Sequence, residues 1–548
     1  MTKKNLFFLF VFFCFSFIIY FSSSAWFIYF PKEYLYSLSG SAGLFQLVLL
    51  FISIKKENSE KILSVQLPNS ILWIILICLS SFLLFIVFPI RNLSLGDGTL
   101  LLEHVALEAK MFGYHLTMDE IFEALIHSVL FVKFPAFFPT PIAVYRFVST
   151  VCGLFAISFL VYFFRKFKHS ILGYILVLSS GGMYLFHGYS ENYTIITSVL
   201  WVYILFSIQM IQKGEKRNLE ALLPICFIAC ILILLHLVSG YLLFSLVYLC
   251  YHFSDRGKFI TNAVYCTLFS ALILAPVFLY FIFFSDVRFD FTQTHLTNPK
   301  FYPFSKIIST IHFRDIFFCI IGSAFLPFII LLYSFLFYKN QFIETLKRKD
   351  LRFLSFVLFG FFLHGFFHYP QLGFPADWDL LAFFWTPISF LSVFVLEDLN
   401  KTNDLIENDN RILSFYLVPI FVFSVIVYIS NAVYLSKPDE PKIAELDNAL
   451  LRIEKFSNSN ESKLLKQVLP KYKKFYLKVS FFLFESKEKI IEMKDFDSKK
   501  STELLNQNQI FREELDSNIE RVESKWQKEF YSRLTTYHLD YLELLKKK

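Results

Sequence analysis

The chain lacks what a disulfide-stapled or metal-stapled domain needs. Its eight cysteines, Cys14, Cys78, Cys152, Cys226, Cys230, Cys250, Cys266 and Cys319, all fall inside apolar runs. None lies in a long outer segment, so neither a disulfide framework nor a Cys-x-x-Cys metal site is expected. Charge is sparse over most of the length, with 54 Asp, Glu, Lys and Arg in the first 436 residues. Regularly alternating segments of about 10 residues are also missing, which excludes a transmembrane barrel.

What is present is apolar. The 548 residues are 56% hydrophobic and 20% aromatic, with 73 Phe and a mean hydropathy of +0.54. Ordinary globular chains are about 45–50% apolar. Runs near 20 apolar residues recur, and each is long enough to cross a bilayer as a helix. The expected fold class is all-α: a polytopic transmembrane helical bundle with interfacial helices in the first large outer loop and a C-terminal soluble helical domain. Thirteen spans are predicted, at 5–30, 37–54, 70–88, 142–164, 170–186, 193–211, 219–236, 239–253, 259–284, 316–338, 351–368, 383–396 and 411–435.

Loop charges orient these spans. A net charge of +7 would suggest a nucleic-acid partner in a soluble protein, but here basic cytoplasmic loops explain it. With the N-terminus inside, the inner loops carry 20 Lys and Arg, and the longer outer loops carry 8. This places the chain as a multi-pass membrane protein with a cytoplasmic N-terminus and an extracytoplasmic C-terminus. Ser23-Ser24-Ala25 resembles a signal-peptidase site, but the apolar region before it is long for a signal peptide. The stretch 219–253 crowds two crossings into 35 residues between basic flanks, which favours a short hairpin or re-entrant pair.

Three regions follow: a two-span extension at 1–69, a core at 70–435 with an outer loop at 89–141, and a tail at 436–548. The tail changes character, with 43 charged residues in 437–548. Helical spacing of apolar residues in IAELDNALLRIEKF and KVSFFLFESKEKIIEM predicts several amphipathic helices there. No 34-residue repeat is convincing, and the tail shows no evident chemistry beyond a surface for a protein partner.

The candidate chemistry gathers on the outer side. Asp97, between Gly96 and Gly98 in RNLSLGDGTLLLEH, suits a general base facing a cavity at the membrane surface. The competing role is an N-cap ahead of Thr99. Glu103 and His104 follow on the same stretch. Two helices are expected in this loop, Thr99–Phe112 and Met118–Phe134, each apolar on one side and carrying Glu, His or Lys on a wet side. In the turn HGYSENY, from His187 to Tyr193, Glu191 is an acid flanked by Tyr189 and Tyr193, or simply part of a polar turn. In GFPADWDLLAFFW, Asp377 and Asp379 flank Trp378. Such a pair can hold a sugar, a cation or a basic group, or it can cap a helix beside an interfacial Trp.

His236 ends a span. His364 and His368 lie one helical turn apart, so they are weak candidates for a divalent metal or for a phosphate, against the plainer role of packed histidines. Arg146, one turn into its span, needs an anion there, either a carboxylate or a lipid phosphate. Lys300, Lys306 and Arg314 in the outer loop 285–315 can also meet a phosphate.

On Asp97 in LSLGDGTLLLEH, the HGYSENY turn and ADWDLLAFFW, the region of roughly 70–400 resembles the GT-C superfamily of membrane glycosyltransferases, including the protein O-mannosyltransferase-like and aminoarabinose-transferase-like enzymes. The pattern departs from that superfamily in having two spans before the span that leads to Asp97, and Gly98 where many members have a second acid. The resemblance implies glycosyl transfer from a polyprenyl-phosphate sugar at the outer face of a bacterial inner membrane. Asp97 would be the base, and Arg146, Glu191, Tyr193, His236, Asp377, Trp378 and Asp379 would bind substrate. The rival readings are a transporter or lipid flippase, which should show polar residues on an inner path, and a non-catalytic membrane assembly protein.

Overall fold

In a computed structural model of the chain, the described residues are 71–90, 101, 120–138, 141–169, 171–213, 219–254, 257–284, 301–369 and 378–401. All belong to the first of two compact units, Met1–Pro438. The expected spans 5–30, 37–54 and 411–435 and the tail lie outside the described residues, as do Asp97, Glu103, His104, Lys300 and Asp377 and all but Leu101 of the helix expected at Thr99–Phe112.

Among the described residues the fold is helical, apart from an isolated bridge between Phe301 and His368. The helices are α1 Ile71–Val87, α2 Ile121–Lys133, α3 Pro141–Lys166, α4 Ile171–Leu178, α5 Thr194–Lys213, α6 Leu219–Leu235, α7 Leu243–His252, α8 Phe259–Phe284, α9 Phe304–Ile307, α10 Thr310–Phe337, α11 Lys339–Leu346, α12 Lys349–Phe367, α13 Trp378–Leu381 and α14 Trp385–Lys401. Among the described residues, five helical segments are long and apolar enough to cross a membrane: Ile142–Lys166, Thr194–Lys213, Phe259–Tyr280, Cys319–Phe337 and Lys349–Phe367. The chain is a multi-pass membrane protein.

One predicted span is not a single helix. The run 170–186 breaks after α4 and continues as a 3-10 turn, Gly181–Phe186. Ser179 and Ser180 both turn their hydroxyls onto the Leu176 carbonyl, which ends the helix locally. The two glycines that follow permit contacts no side chain would allow. A Cβ on Gly181 would stand 1.8 Å from the Gly322 carbonyl oxygen, and one on Gly182 would stand 2.2 Å from the Trp385 ring. Gly322 belongs to α10, which kinks at Ala324 (φ −146°, ψ 41°), three residues before Pro327. The proline lacks an N–H and its ring crowds the preceding turn, so the helix bends there.

A second difference lies between α6 and α7. The expected second crossing, 239–253, begins as a 3-10 turn, Leu237–Leu242, and becomes α-helical only at Leu243. At about 1.5 Å per residue, the ten residues of α7 cover only about half of a hydrocarbon core.

Packing joins α3 to α5 and α1, α5 to α6, α7 to α12 and α10 to α14. Near Gly182 the core is aromatic: Trp201 of α5 meets Trp385 at 5.9 Å and Phe390 at 5.6 Å between ring centroids, both edge-on. At the other end of α12, Arg348 pairs with Asp350 and with Asp398 of α14, each at 2.8 Å. Gln212 of α5 donates to Asp350, and Thr345 of α11 donates to Asp398.

The Gly181 contact predicts a sharp asymmetry between two glycine substitutions. Gly181→Ala drives a Cβ into backbone that cannot move aside, so it should destabilise by about 1–3 kcal/mol or more. Gly240→Ala meets nothing within 4 Å and should stay within about 0.5 kcal/mol of the parent. Thermal melting of the two detergent-solubilised variants checks this; equal melting temperatures would contradict it.

Candidate functional site

The turn from His187 to Tyr193 is the hub of the polar groups. Its shape begins with Gly188, whose φ of +71° is left-handed and suits glycine. A Cβ there would also come within 2.8 Å of the Arg146 Cγ. The Gly188 N–H donates to Ser149 Oγ at 2.9 Å, and that hydroxyl donates to the Leu185 carbonyl at 2.8 Å. His187 accepts the Ile90 N–H on its carbonyl at 2.6 Å. Its ring Nδ1 lies 3.0 Å from the Phe88 carbonyl, which can only accept, so Nδ1 carries the proton. Burial pushes this imidazole down to about 4, so it is neutral at pH 7. His187 and Gly188 thus build the turn and hold α1 to it.

Several predicted site residues meet here. Tyr189 donates its hydroxyl to Asp379 Oδ2 at 2.8 Å, and its ring lies 6.1 Å from that of Trp378. The other Asp379 oxygen accepts the Leu380 N–H at 2.9 Å, within the first turn of α13. Glu191 is buried beside Tyr189 and acts on it electrostatically along with Asp379. Burial first, and then these carboxylates, raise the Tyr189 phenol well above its ordinary value, so it remains a donor. Tyr193 packs its ring 5.6 Å from His236 and 5.7 Å from Phe383. Arg146, Glu191, Tyr193, His236, Trp378 and Asp379 therefore surround one turn or form part of it.

His364 and His368 pair with each other, ring centroids 4.9 Å apart, and His364 also packs edge-on to Tyr241 at 5.2 Å. Among the described residues, no group of three His, Cys, Asp or Glu converges to hold a metal, so these two lack a third ligand. Arg314 pairs with Asp315 at 2.9 Å, and Lys306 lies over the Tyr369 ring at 5.4 Å.

The helix expected over Met118–Phe134 is α2, and its polar side is not at the surface: Glu123, His127 and Ser128 are fully buried, while Ile126, Val129, Phe134 and Phe137 are exposed. Periodicity defines two faces but not the solvent each one meets. In contact with lipid the apolar face turns outward and the polar face must find partners inside. Glu120, just before α2, accepts from Asn192 Nδ2 at 2.8 Å. Asn192 Oδ1 in turn faces the Tyr145 hydroxyl at 3.4 Å. Glu123 accepts the Ile195 N–H at 3.0 Å, so it sits on the N-terminus of α5. His127 stacks on Tyr145 at 4.0 Å, and burial pushes its imidazole down to about 4. Sequence reasoning missed Glu120 and Glu123 as partners of the turn. The available signal was the spacing of Glu120, Glu123 and His127 on one helical face.

At 13 residues α2 is too short to span, so Glu123 belongs to the interfacial layer. Burial raises its carboxyl from 4.5 to about 8, against the lowering effect of the backbone N–H groups of α5, with Glu120 adding a smaller repulsion. The folded state therefore keeps this proton between about pH 4.5 and 8, where the unfolded chain releases it. Stability falls as pH rises through that window and is level on either side. At about 1.4 kcal/mol per unit, the fall amounts to a few kcal/mol. Glu123→Gln, neutral at every pH, should abolish this part of the pH dependence of thermal melting. An unchanged slope would show that Glu123 is ionised in the fold.

No family model and no curated protein matches the chain. Two solved structures of ArnT from Cupriavidus metallidurans are similar to it. The apo state is 12% identical over 67% of this chain and 76% of that one, with a TM-score of 0.45. The form bound to undecaprenyl phosphate is 13% identical over 71% and 81%, with a TM-score of 0.47.

Proposed function

We propose that this chain is an integral-membrane glycosyltransferase that moves a sugar from a polyprenyl-phosphate donor to an acceptor on the outer side of the membrane. The observation that carries the reading is the gathering of Arg146, Glu191, His236 and Asp379 at a single turn, although they come from four separate parts of the sequence. Polar groups stranded singly at a lipid-facing rim would each need separate rescue. Grouped at one end of a bundle, they can face a charged, hydroxyl-rich substrate.

In this reading the acceptor O–H or N–H attacks the anomeric carbon. The bond from that carbon to the phosphate oxygen breaks, and the phosphate leaves with the electron pair. Asp97 takes the acceptor proton. Arg146 faces the phosphate, where a guanidinium can pair with two oxygens. Asp379 and Glu191, held by Tyr189 and the turn, orient the sugar or acceptor. Asp377 would share that task with Trp378. A phosphate is a good leaving group, and a divalent ion, if bound, would speed its departure by offsetting its charge. The polar groups at the far ends of the helices are engaged with one another: His169 with Glu397 at 2.6 Å, and Arg348 with Asp350 and Asp398. They act as staples, which favours the transferase over a transporter or flippase.

Two measurements test this. Asp97→Asn should lower turnover of polyprenyl-phosphate sugars by about 10²–10⁴ while the protein accumulates normally in the membrane. Normal turnover would leave Asp97 as a helix cap. The topology is tested by a reporter fused after Lys548, which should be active only outside the cytoplasm. Cytoplasmic activity would overturn the orientation and the outer site with it.

A further inference from the structure

Among the described residues, the Nε2 donor of His236 has no hydrogen-bond partner. Its Nδ1 accepts the Val238 N–H at 3.1 Å at the start of the Leu237–Leu242 turn. A ring nitrogen that accepts holds no proton, so the proton of this imidazole sits on Nε2. Nε2 is buried, in a residue 4% exposed, and makes no hydrogen bond among the described residues. It faces Glu120 Oε1 at 3.5 Å, an ion-pair separation too long for a good hydrogen bond. The other Glu120 oxygen is occupied by Asn192, which fixes the carboxylate in place. Glu120 is about a quarter exposed (24%), so its carboxylate lies at an accessible edge beside the buried imidazole.

We propose that Glu120 and His236 form a subsite that reads one hydroxyl of a sugar ring. The proposal rests on the transferase reading above for its ligand class, and it adds a residue, Glu120, and the atoms that do the reading. An oxygen placed about 2.8 Å from both Nε2 and Oε1 closes a triangle over their 3.5 Å separation. A hydroxyl satisfies both corners at once: it accepts from Nε2–H and donates to the carboxylate. A phosphate oxygen would meet the carboxylate with like charge, and an ammonium would meet the N–H with no acceptor. The hydroxyl is thus the group that suits both atoms. The rings of Tyr193 and Phe383, 5.6 and 6.3 Å from the imidazole, supply apolar walls for the C–H face of a sugar. Buried unfilled donors are costly, and a ligand that fills this one explains why it is retained.

The test measures binding to the full chain in detergent, separately from turnover. The probes are undecaprenyl-phosphate-linked glucose, mannose and galactose, followed by the single-deoxy forms of whichever binds. The parent protein should lose about ten- to a hundredfold in affinity at one deoxy position. Glu120→Gln, which keeps an acceptor for Asn192, and His236→Gln should lose a similar factor on the full sugar. Neither should lose more at that deoxy position. A parent protein indifferent to every deoxy change, variants that still discriminate as the parent does, or binding of none of the three sugars would each overturn the proposal. Either variant alone, read with the deoxy series on the parent protein, decides the matter if the other fails to fold. Discriminating binding without turnover would sink the transferase reading and leave the subsite standing; turnover with indifferent binding would do the reverse.

Discussion

A polar group facing lipid has no water to pair with, so it must be satisfied within the protein. The turn from His187 to Tyr193 exists at the end of two apolar segments under that constraint. Almost everything beside it is a partner: Ser149 for the backbone of Gly188, Phe88 for the ring of His187, Asp379 for Tyr189, Glu120 for Asn192. The same constraint turns the polar face of α2 inward and leaves its apolar face on the outside. With Glu123 inside and Glu120 at the edge of the bundle, the two have little choice of position. One meets the Asn192 amide, and the other meets the exposed N–H groups at the start of α5.

The bundle beneath the turn is shaped by close approach. Ser180 and Ser389 share a hydrogen bond of 2.9 Å next to the two glycines that admit α10 and Trp385. Small side chains with local hydroxyl bonds let helices come together where larger ones would hold them apart. The 3-10 turn Gly181–Phe186 is the result, and it carries the chain directly into His187. Packing in the apolar layer thus decides where the polar turn begins. At the opposite ends of the helices, Arg348 joins α12 to α14, with Gln212 and Thr345 completing the set. Partly exposed pairs of this kind contribute little individually, but they fix which helix ends lie side by side.

Much of the fold was legible in the primary structure because lipid makes the rule simple. An apolar run bounded by charges becomes a helix, and the run predicted at 259–284 coincides with α8, Phe259–Phe284. The run at 142–164 likewise corresponds to α3, and 351–368 to α12. HGYSENY and ADWDLLAFFW stood out because polar residues are rare in such surroundings. The break after α4 was not legible in the same way. Gly181 and Gly182 were visible, but their contacts are Gly322 and Trp385, about 140 and 200 residues further on.

The sequence by itself determined the solvent, the helices and the chemical types available in the polar turns, since each of these depends on local composition and period. Only the tertiary structure decided that Tyr189 reaches Asp379, that Tyr193 lies against His236, and that Glu120 bridges toward both Asn192 and His236. Those pairings join residues from 43 to 190 positions apart. Helical period says which residues share a face; which face meets lipid and which meets another helix depends on the whole bundle. That is why the spacing of Glu123 and His127 reveals a polar face in the sequence, while only the fold shows that this face stands inside the protein.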